Sequence, residues 1–323
     1  MPSNARLLLL DKDAVMHLLE PTAVLEAVRE AFVLHSQNEG RVFPVVREAL
    51  STGGIFGIKS GDVPKQGLLG FKAAGFWPRN KEVGSEPHQA TILLIDPENG
   101  RPICLIDGNA ITTARTGAAG GIGLGLLARP NCASACVFGA GVQAQIQLEF
   151  ALRLMPTLTT VRYLTGIDAP SSAFETHFSG RCNLQFVTDA NAAVSQSDVI
   201  ITATPGRGPL FDADAVRPGT HLNCVGADTK GKRELPPYLL QRARLFVDDK
   251  VQARSIGETQ WAPHTHCDEI GDVLTAKVPL NRQPTDITVF DMTGLALQDL
   301  TVAHLIHRGA MQQGVGTSIA WPW

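Results

Sequence analysis

Four apolar residues, Ala135 to Phe138, run directly into Gly139-Ala140-Gly141-Val142-Gln143-Ala144, and the following stretch, Gln145 to Leu154, contains no helix breaker. A strand that turns this sharply into a helix needs glycine at the turn. The first Gly permits the tight bend, the second lets the backbone approach a pyrophosphate, and Ala144 keeps the helix against the strand. The helix N-terminus then offers unpaired N–H groups to an anion. G-x-G-x-x-A in a strand–turn–helix context therefore predicts a dinucleotide-binding unit, with Gly139, Ala140, Gly141, Val142 and Gln143 around the cofactor. After Pro130 the alternation repeats, with strand cores at Ala135 to Phe138, Val161 to Leu164, Gln185 to Val187, Val199 to Ala203, Leu222 to Val225, Leu245 to Val247 and Ile287 to Phe290. That pattern predicts an α/β fold with a doubly wound parallel sheet. Asp168, slightly beyond the second strand, either reaches the ribose hydroxyls if the turn curls back or is a solvated loop acid, which favours NAD and leaves NADP open.

The first third reads differently. Val24, Val28, Ala31, Phe32 and His35 recur at helical spacing within Ala23 to Ser36. From Val42 to Asp107, short β-rich runs separated by Gly, Pro and Asn predict an antiparallel sheet, with runs at Phe43 to Val46, Gly54 to Ile58, Gly70 to Ala74 and Ala90 to Ile95. A Gly- and Ala-rich stretch from Asn109 to Ala128 reads as a closely packed linking helix, and Leu300 to Arg308 as a helix returning to the first half. At 323 residues, two domains are expected.

Composition narrows the function. Hydrophobic residues make up 44% and charged residues 18%, enough apolar surface to fold, and a net charge of -3 gives no excess with which to grip nucleic acid or an anionic membrane. The run Leu7 to Leu10 is cut short by Asp11, Lys12 and Asp13, and no stretch approaches the roughly 20 apolar residues of a membrane span, so a cytoplasmic protein is expected. Six scattered cysteines without a C-x-x-C pair, Cys132 and Cys136 among them, read as buried thiols. His264, His266, Cys267, Asp268 and Glu269 are zinc-ligand types, but their spacing fits no standard motif; a solvent-facing loop and no metal are expected. Trp77-Pro78 and Trp321-Pro322-Trp323 carry apolar area suited to a subunit contact or to core.

Four segments in order, Phe71-Lys72-Ala73-Ala74-Gly75, Thr113-Ala114-Arg115-Thr116-Gly117, the glycine turn, and Val225-Gly226-Ala227-Asp228-Thr229-Lys230-Gly231-Lys232-Arg233-Glu234-Leu235, give the chain its likeness. It resembles the ornithine cyclodeaminase and mu-crystallin family, and by Phe43-Pro44-Val45-Val46-Arg47-Glu48-Ala49, Gly70 to Pro78, His88-Gln89 and Asp228-Thr229-Lys230-Gly231-Lys232 it looks most like the iminosuccinate reductase branch. The resemblance implies a smaller α+β domain for substrate binding and dimerisation, residues 1–116 and 298–323, beside an NAD(P)-binding Rossmann domain, residues 117–297. It implies a homodimer acting on a small imino or amino acid. Arg47, Lys72 and Arg115 fall where the family binds the substrate carboxylate, and Asp228 where it holds the reacting amine or imine, with Lys72 and Asp228 as the catalytic pair. Thr116, Thr204, Lys232 and Thr293, with Val225 and Gly226, fall at cofactor contacts.

The residue chemistry suits those assignments. Guanidinium and ammonium groups converging on a carboxylate fix an amino or imino acid in one orientation, and a carboxylate near the nitrogen favours the protonated imine, the better hydride acceptor. Cyclodeaminases of the family carry a Glu upstream of the motif Lys. Here no Glu lies between Glu48 and Glu82, and Lys59 stands thirteen residues before Lys72, about where that Glu is expected. The expected activity is therefore NAD(P)H-dependent reduction of a small imino acid, with Lys59 matching a second substrate carboxylate. Ornithine cyclodeamination, and a mu-crystallin-like protein that binds NADP and a small ligand without turnover, stand as the alternatives.

Overall fold

The computed structural model describes residues 5–322, and Trp323 lies outside them. Two compact units form: one from the residues up to Arg115 together with those from Leu295, the other from Thr116–Gly294.

The first unit contains β1 (Arg6–Leu10), α1 (Lys12–Leu18), α2 (Pro21–Ser36), β2 (Arg41–Val42), β3 (Val46–Ala49), β4 (Ile55–Val63), β5 (Leu68–Phe76), β6 (His88–Ile95) and β7 (Pro102–Asp107). The start of α3 (Gly108–Leu127) also belongs to it, as do the late elements α10 (Ala296–Gln313) and β16 (Thr317–Ala320). Its strands order as β16-β1-β7-β6-β5-β4-β2, with β3 also on β4. The strands between Val42 and Asp107 pair antiparallel as expected, and β1, outside that stretch, joins β7 in parallel. Strands linked by tight turns must run antiparallel, whereas β1 is separated from the meander by two helices and can add in the same direction. Phe43–Val45 lie between β2 and β3 instead of forming a strand, and the returning helix is longer at both ends than Leu300 to Arg308.

Helix α10 lies against β4, β5 and β6, with α2 packed along it. Leu297, Leu300 and Ile306 of α10 are buried, as are Ile92, Leu94, Cys104 and Ile106 of the sheet. Glycine in mid-strand makes the approach possible: a Cβ on Gly70 would stand 3.0 Å from Leu300 Cδ2 and 2.5 Å from the Leu93 carbonyl oxygen.

The second unit is the doubly wound domain that the strand–helix alternation predicts. It comprises β8 (Ser134–Phe138), α4 (Val142–Leu154), β9 (Thr160–Leu164), α5 (Ser172–Phe178), β10 (Asn183–Phe186), α6 (Ala190–Ser195), β11 (Val199–Thr202) and β12 (His221–Cys224). The chain continues through α7 (Pro237–Arg242), β13 (Arg244–Val247), α8 (Lys250–Ile256), β14 (Cys267–Glu269), α9 (Ile270–Leu274) and β15 (Thr288–Asp291). All eight strands are parallel, ordered β10-β9-β8-β11-β12-β15-β13-β14. Strands β8, β11, β12 and β15 are almost wholly buried; β8 and β11 are mostly apolar, as burial on both faces favours, whereas β12 and β15 also bury His221, Asn223, Thr288 and Asp291. Cys132 and Cys136 are buried thiols. The His264–Glu269 segment is not simply a solvent-facing loop. Its second half is the edge strand β14, too short and polar to show a period, and Cys267 is buried in it while His266 stays exposed and pairs with Asp268 at 3.0 Å.

Within this unit the glycines of α3 permit close packing. A Cβ at Gly117 would meet Ile146 and Phe150 of α4, and one at Gly120 would stand 1.9 Å from the Gln147 side-chain oxygen. Gln147 spends its amide on the Thr116 carbonyl (2.7 Å), tying α4 to α3.

Candidate active site

In the first unit, strand register collects the cations. Lys72 lies directly opposite Lys59 across β4–β5, and Arg47 lies opposite Gly57, two residues before Lys59. Directly paired residues share a face, as do residues two apart, so Arg47, Lys59 and Lys72 all project from one side of the sheet. Glu48, next to Arg47 on β3, projects from the other. His88 joins the cationic side, since it alternates with Ala90 and Ile92, and Ile92 is the cross-strand neighbour of Lys72.

Helices α3 and α10 complete the cluster. Lys72 Nζ donates to Asp299 Oδ1 (2.7 Å) and to Thr112 Oγ1 (3.2 Å). Arg115 donates through Nε to the same Asp299 oxygen (3.1 Å) and through Nη1 to Gln298 Oε1 (3.2 Å). Gln298 Oε1 also accepts the Leu295 N–H at the start of α10, so one side chain caps the helix and braces the arginine. Lys72, Arg115 and Asp299 are 4%, 8% and 1% exposed. Asp299 Oδ2 is buried and makes no hydrogen bond among the described residues.

Burial and crowding set the charge states. Lys72 is pushed down from 10.5 to about 7, chiefly by desolvation and further by the Arg115 and Lys59 charges, against the pull of Asp299. Burial alone would raise the Asp299 carboxyl, but Lys72 and Arg115 outweigh it and hold it below its ordinary value. His88 is lowered by burial and then by Lys72. Its ring is oriented from outside the cluster: Nδ1 lies 3.0 Å from Asn109 Oδ1, while the Asn109 amide donates to Glu86.

In the second unit the sequence-predicted residues gather at the carboxyl ends of the central strands. The chain proceeds outward from β8 to β9 and β10, then returns to β11 on the opposite side of β8, so the glycine turn sits at the topological switch point. Gly139 has φ +105°, and a Cβ there would stand 2.6 Å from the Ala203 carbonyl oxygen. Gly141 caps α4 without a side-chain hydrogen bond, and a Cβ on it would meet no protein atom within 4 Å. Packing requires the first glycine but not the second. The uncapped helix end and the open space over Gly141 fit a phosphate-bearing ligand. Ala144 is fully buried beneath the turn, and Val142 is exposed. Asp168 is exposed, four residues beyond β9 in a left-handed turn (φ +49°).

Asp228 and Lys232 sit in the loop after β12 and pair at 2.8 Å; Thr229 Oγ1 donates to the same Asp228 oxygen. Two buried acids hold this loop at its ends. Glu234 accepts from the Thr204 N–H and hydroxyl (2.7 Å each) and from the Gly226 N–H (2.9 Å), which joins the β11 and β12 loops. A Cβ at Gly226 would run into that carboxylate at 2.4 Å. Glu258 accepts from the Glu234 and Leu235 N–H groups. Val225 continues β12 with its N–H on the Thr202 carbonyl. Thr293 donates to Asp248 (2.7 Å) and accepts from Gln252 (2.7 Å). Burial raises Glu234 and Glu258, and raises Asp291 to about 7, despite their hydrogen bonds.

A sequence profile of the ornithine cyclodeaminase/mu-crystallin family matches residues 6–314. The chain belongs to that family. Among the family's characterised members, the iminosuccinate reductase of Paracoccus denitrificans is 32% identical over 321 residues, covering 97% of this chain and 99% of the relative. An archaeal alanine dehydrogenase dimer solved with bound NAD superposes with a TM-score of 0.91 at 31% identity, over 98% of this chain and 100% of that one. The Delta(1)-pyrroline-2-carboxylate reductase of Thermococcus litoralis, solved with NADH and L-proline, superposes with a TM-score of 0.90 at 28% identity, over 97% and 100%.

The sequence reading named the cations but missed their counter-ion. Asp299 sits inside Leu-Gln-Asp-Leu, and an acid flanked by leucines on an apolar helix is the signal that marks it. Glu234, Glu258 and Asp291 were likewise passed over; Asp291 ends an apolar strand, the one hint of burial available.

Proposed function

We propose that this family member catalyses NAD(P)H-dependent reduction of a small imino acid to an amino acid, with an iminosuccinate-like dicarboxylate as the favoured substrate and NAD(H) as the favoured cofactor. The observation that carries the reading is the buried pair Lys72 and Arg115, two cations sharing a single carboxylate oxygen, which leaves the cluster short of one anion. A substrate carboxylate supplies it. Lys72, Arg115 and Arg47 orient the substrate; Lys59, on the same sheet face, receives a second carboxylate. Asp228 holds the substrate nitrogen and stabilises its protonated form. A nicotinamide cofactor, when bound, would supply the hydride for the C=N carbon, and the substrate nitrogen would carry the accompanying proton. Gly139 to Gln143 cradle the pyrophosphate, with Thr116, Thr204, Val225, Gly226, Lys232 and Thr293 as further contacts and Asp168 toward the ribose.

The first unit serves as substrate and dimerisation domain in this reading, the second as the cofactor domain. A homodimer is supported by the face of the first sheet opposite Lys72, where Ile58, Phe71 and Leu93 are only half-buried and Leu105 is 37% exposed.

The test follows NADH absorbance with oxaloacetate plus ammonia, pyruvate plus methylamine, and a cyclic imine, beside an ammonia assay on ornithine. Turnover fastest with oxaloacetate plus ammonia is expected. Ammonia release from ornithine without net NADH change would overturn the proposal. Lys59→Ala should raise KM for the dicarboxylate by about 10–100-fold, a charge-assisted contact of about 1.5–3 kcal/mol, and leave the monocarboxylate KM unchanged.

The two glycines of the turn make a paired prediction. Gly141→Ala, at φ -83° and with open space around the new methyl, should leave folding stability within about 0.5 kcal/mol while weakening NADH binding at least about tenfold. Gly139→Ala should instead destabilise the fold by about 2 kcal/mol or more. Fluorescence titration with NADH and urea melts separate the two; unaltered NADH affinity in Gly141→Ala would contradict the assigned cradle.

A further inference from the structure

Lys72 is held in an unusual way, and counting its hydrogens is informative. A neutral amine has two N–H bonds and one lone pair; an ammonium has three N–H bonds. Two acceptors are already in place, Asp299 Oδ1 at 2.7 Å and Thr112 Oγ1 at 3.2 Å, and those two consume everything a neutral amine can donate. The third tetrahedral position of the nitrogen then carries a lone pair, which repels a carboxylate. It becomes a donor only when Lys72 gains a proton.

The surrounding charges point the same way. Lys72 faces Lys59 on β4, with Arg47 beyond it on β3; His88 lies on β6, Arg115 and Thr112 on α3, and Gln298 and Asp299 on α10. Asp299 is the sole anion in that set, and Arg115 already draws on the same oxygen. With no ligand, an ammonium at Lys72 adds a buried positive charge that nothing further offsets. With a carboxylate in place, the added proton has its partner.

We infer that the cluster takes up a substrate carboxylate together with one proton, which is held on Lys72 Nζ, and that Asp299 is the positioning residue that keeps the lysine ready for it. The inference rests on the carboxylate-site reading above. It also gives the site a stored proton. Reduction of an imine consumes one proton with each hydride, and the one collected on binding sits at the substrate.

Calorimetry on the intact protein tests it, with succinate as the probe, titrated in two buffers of different ionisation enthalpy; the slope of the observed heat against that enthalpy counts protons. Uptake close to one proton per succinate is expected at pH 8 and about half a proton at pH 7, where succinate is already fully ionised. Lys72→Arg, permanently charged, should bind succinate within about tenfold of wild type and take up no proton at any of these pH values. Asp299→Asn should move the midpoint of the uptake profile to lower pH, a shift that a merely structural role would not produce. Binding without uptake at pH 8, or equal uptake in Lys72→Arg, overturns the coupling while leaving the substrate site intact. Absence of succinate binding overturns the coupling as well, and if NADH oxidation is absent across the imino-acid panel the substrate reading falls with it.

Discussion

Asp228→Asn is expected to lower kcat for imine reduction by about two to four orders of magnitude while changing NADH affinity less than about threefold. The substitution is nearly isosteric. An amide oxygen can still accept from Lys232 and Thr229, so the loop conformation survives; Glu234 and Glu258 hold its two ends independently of residue 228. What disappears is the negative charge. A neutral imine is a poor hydride acceptor, and on the proposed reading the Asp228 carboxylate at the nitrogen stabilises the iminium, which a neutral amide would not do. On the proposed reading the pyrophosphate contacts lie at the glycine turn, in a different loop, so cofactor binding should be almost untouched. Pre-steady-state NADH oxidation alongside equilibrium NADH titration measures both quantities. Equal losses in the two would mean that Asp228 serves the cofactor through Lys232 and not the substrate nitrogen.

The sequence makes some of this architecture plain and hides the rest for identifiable reasons. A parallel strand buried on both faces, such as Val199–Thr202, is mostly apolar, so it stands out without any alignment. The glycine turn is legible because Gly139 has a backbone conformation few other residues adopt. Lys72 is conspicuous as a charge in an apolar strand. Edge strands are not conspicuous: Thr317–Ala320 has three of its four residues exposed and is held by pairing with β1 alone, so no burial pattern is written into it. Asp299 is hidden for another reason. Its meaning lies in partners 184 and 227 residues away, and local propensity carries no trace of them. The acids that fix the Asp228 loop are of the same kind; Glu234 appears within a motif, but its function as a hydrogen-bond anchor becomes visible only when Thr204 and Gly226 converge on it.

Asp299→Ala is expected to destabilise the protein by about 3–5 kcal/mol near pH 6, the usual cost of removing one member of a buried ion cluster. Two cations lose their shared acceptor, and they respond differently. The Arg115 contact is lost whatever the pH, so part of the loss is constant. Lys72 can escape by releasing its proton. In the wild type its folded pKa, about 7, already lies below the unfolded value near 10.4, so unfolding takes up a proton between those limits and stability rises with pH across that window. Without Asp299 the folded value drops further. Below pH 7 the wild-type lysine is charged and partnered, whereas the variant must either bury an unpaired ammonium or forgo the proton; above pH 8 the lysine is neutral in both. The difference between the two proteins should therefore widen as pH falls from 8 to 6 and narrow toward the Arg115 contribution at pH 9. Urea denaturation at pH 6, 7.5 and 9 reads this directly. A loss below about 1 kcal/mol, or one that is flat with pH, would show that Lys72 and Arg115 tolerate each other without Asp299, and the cluster would then no longer be short of an anion in the way the substrate site requires.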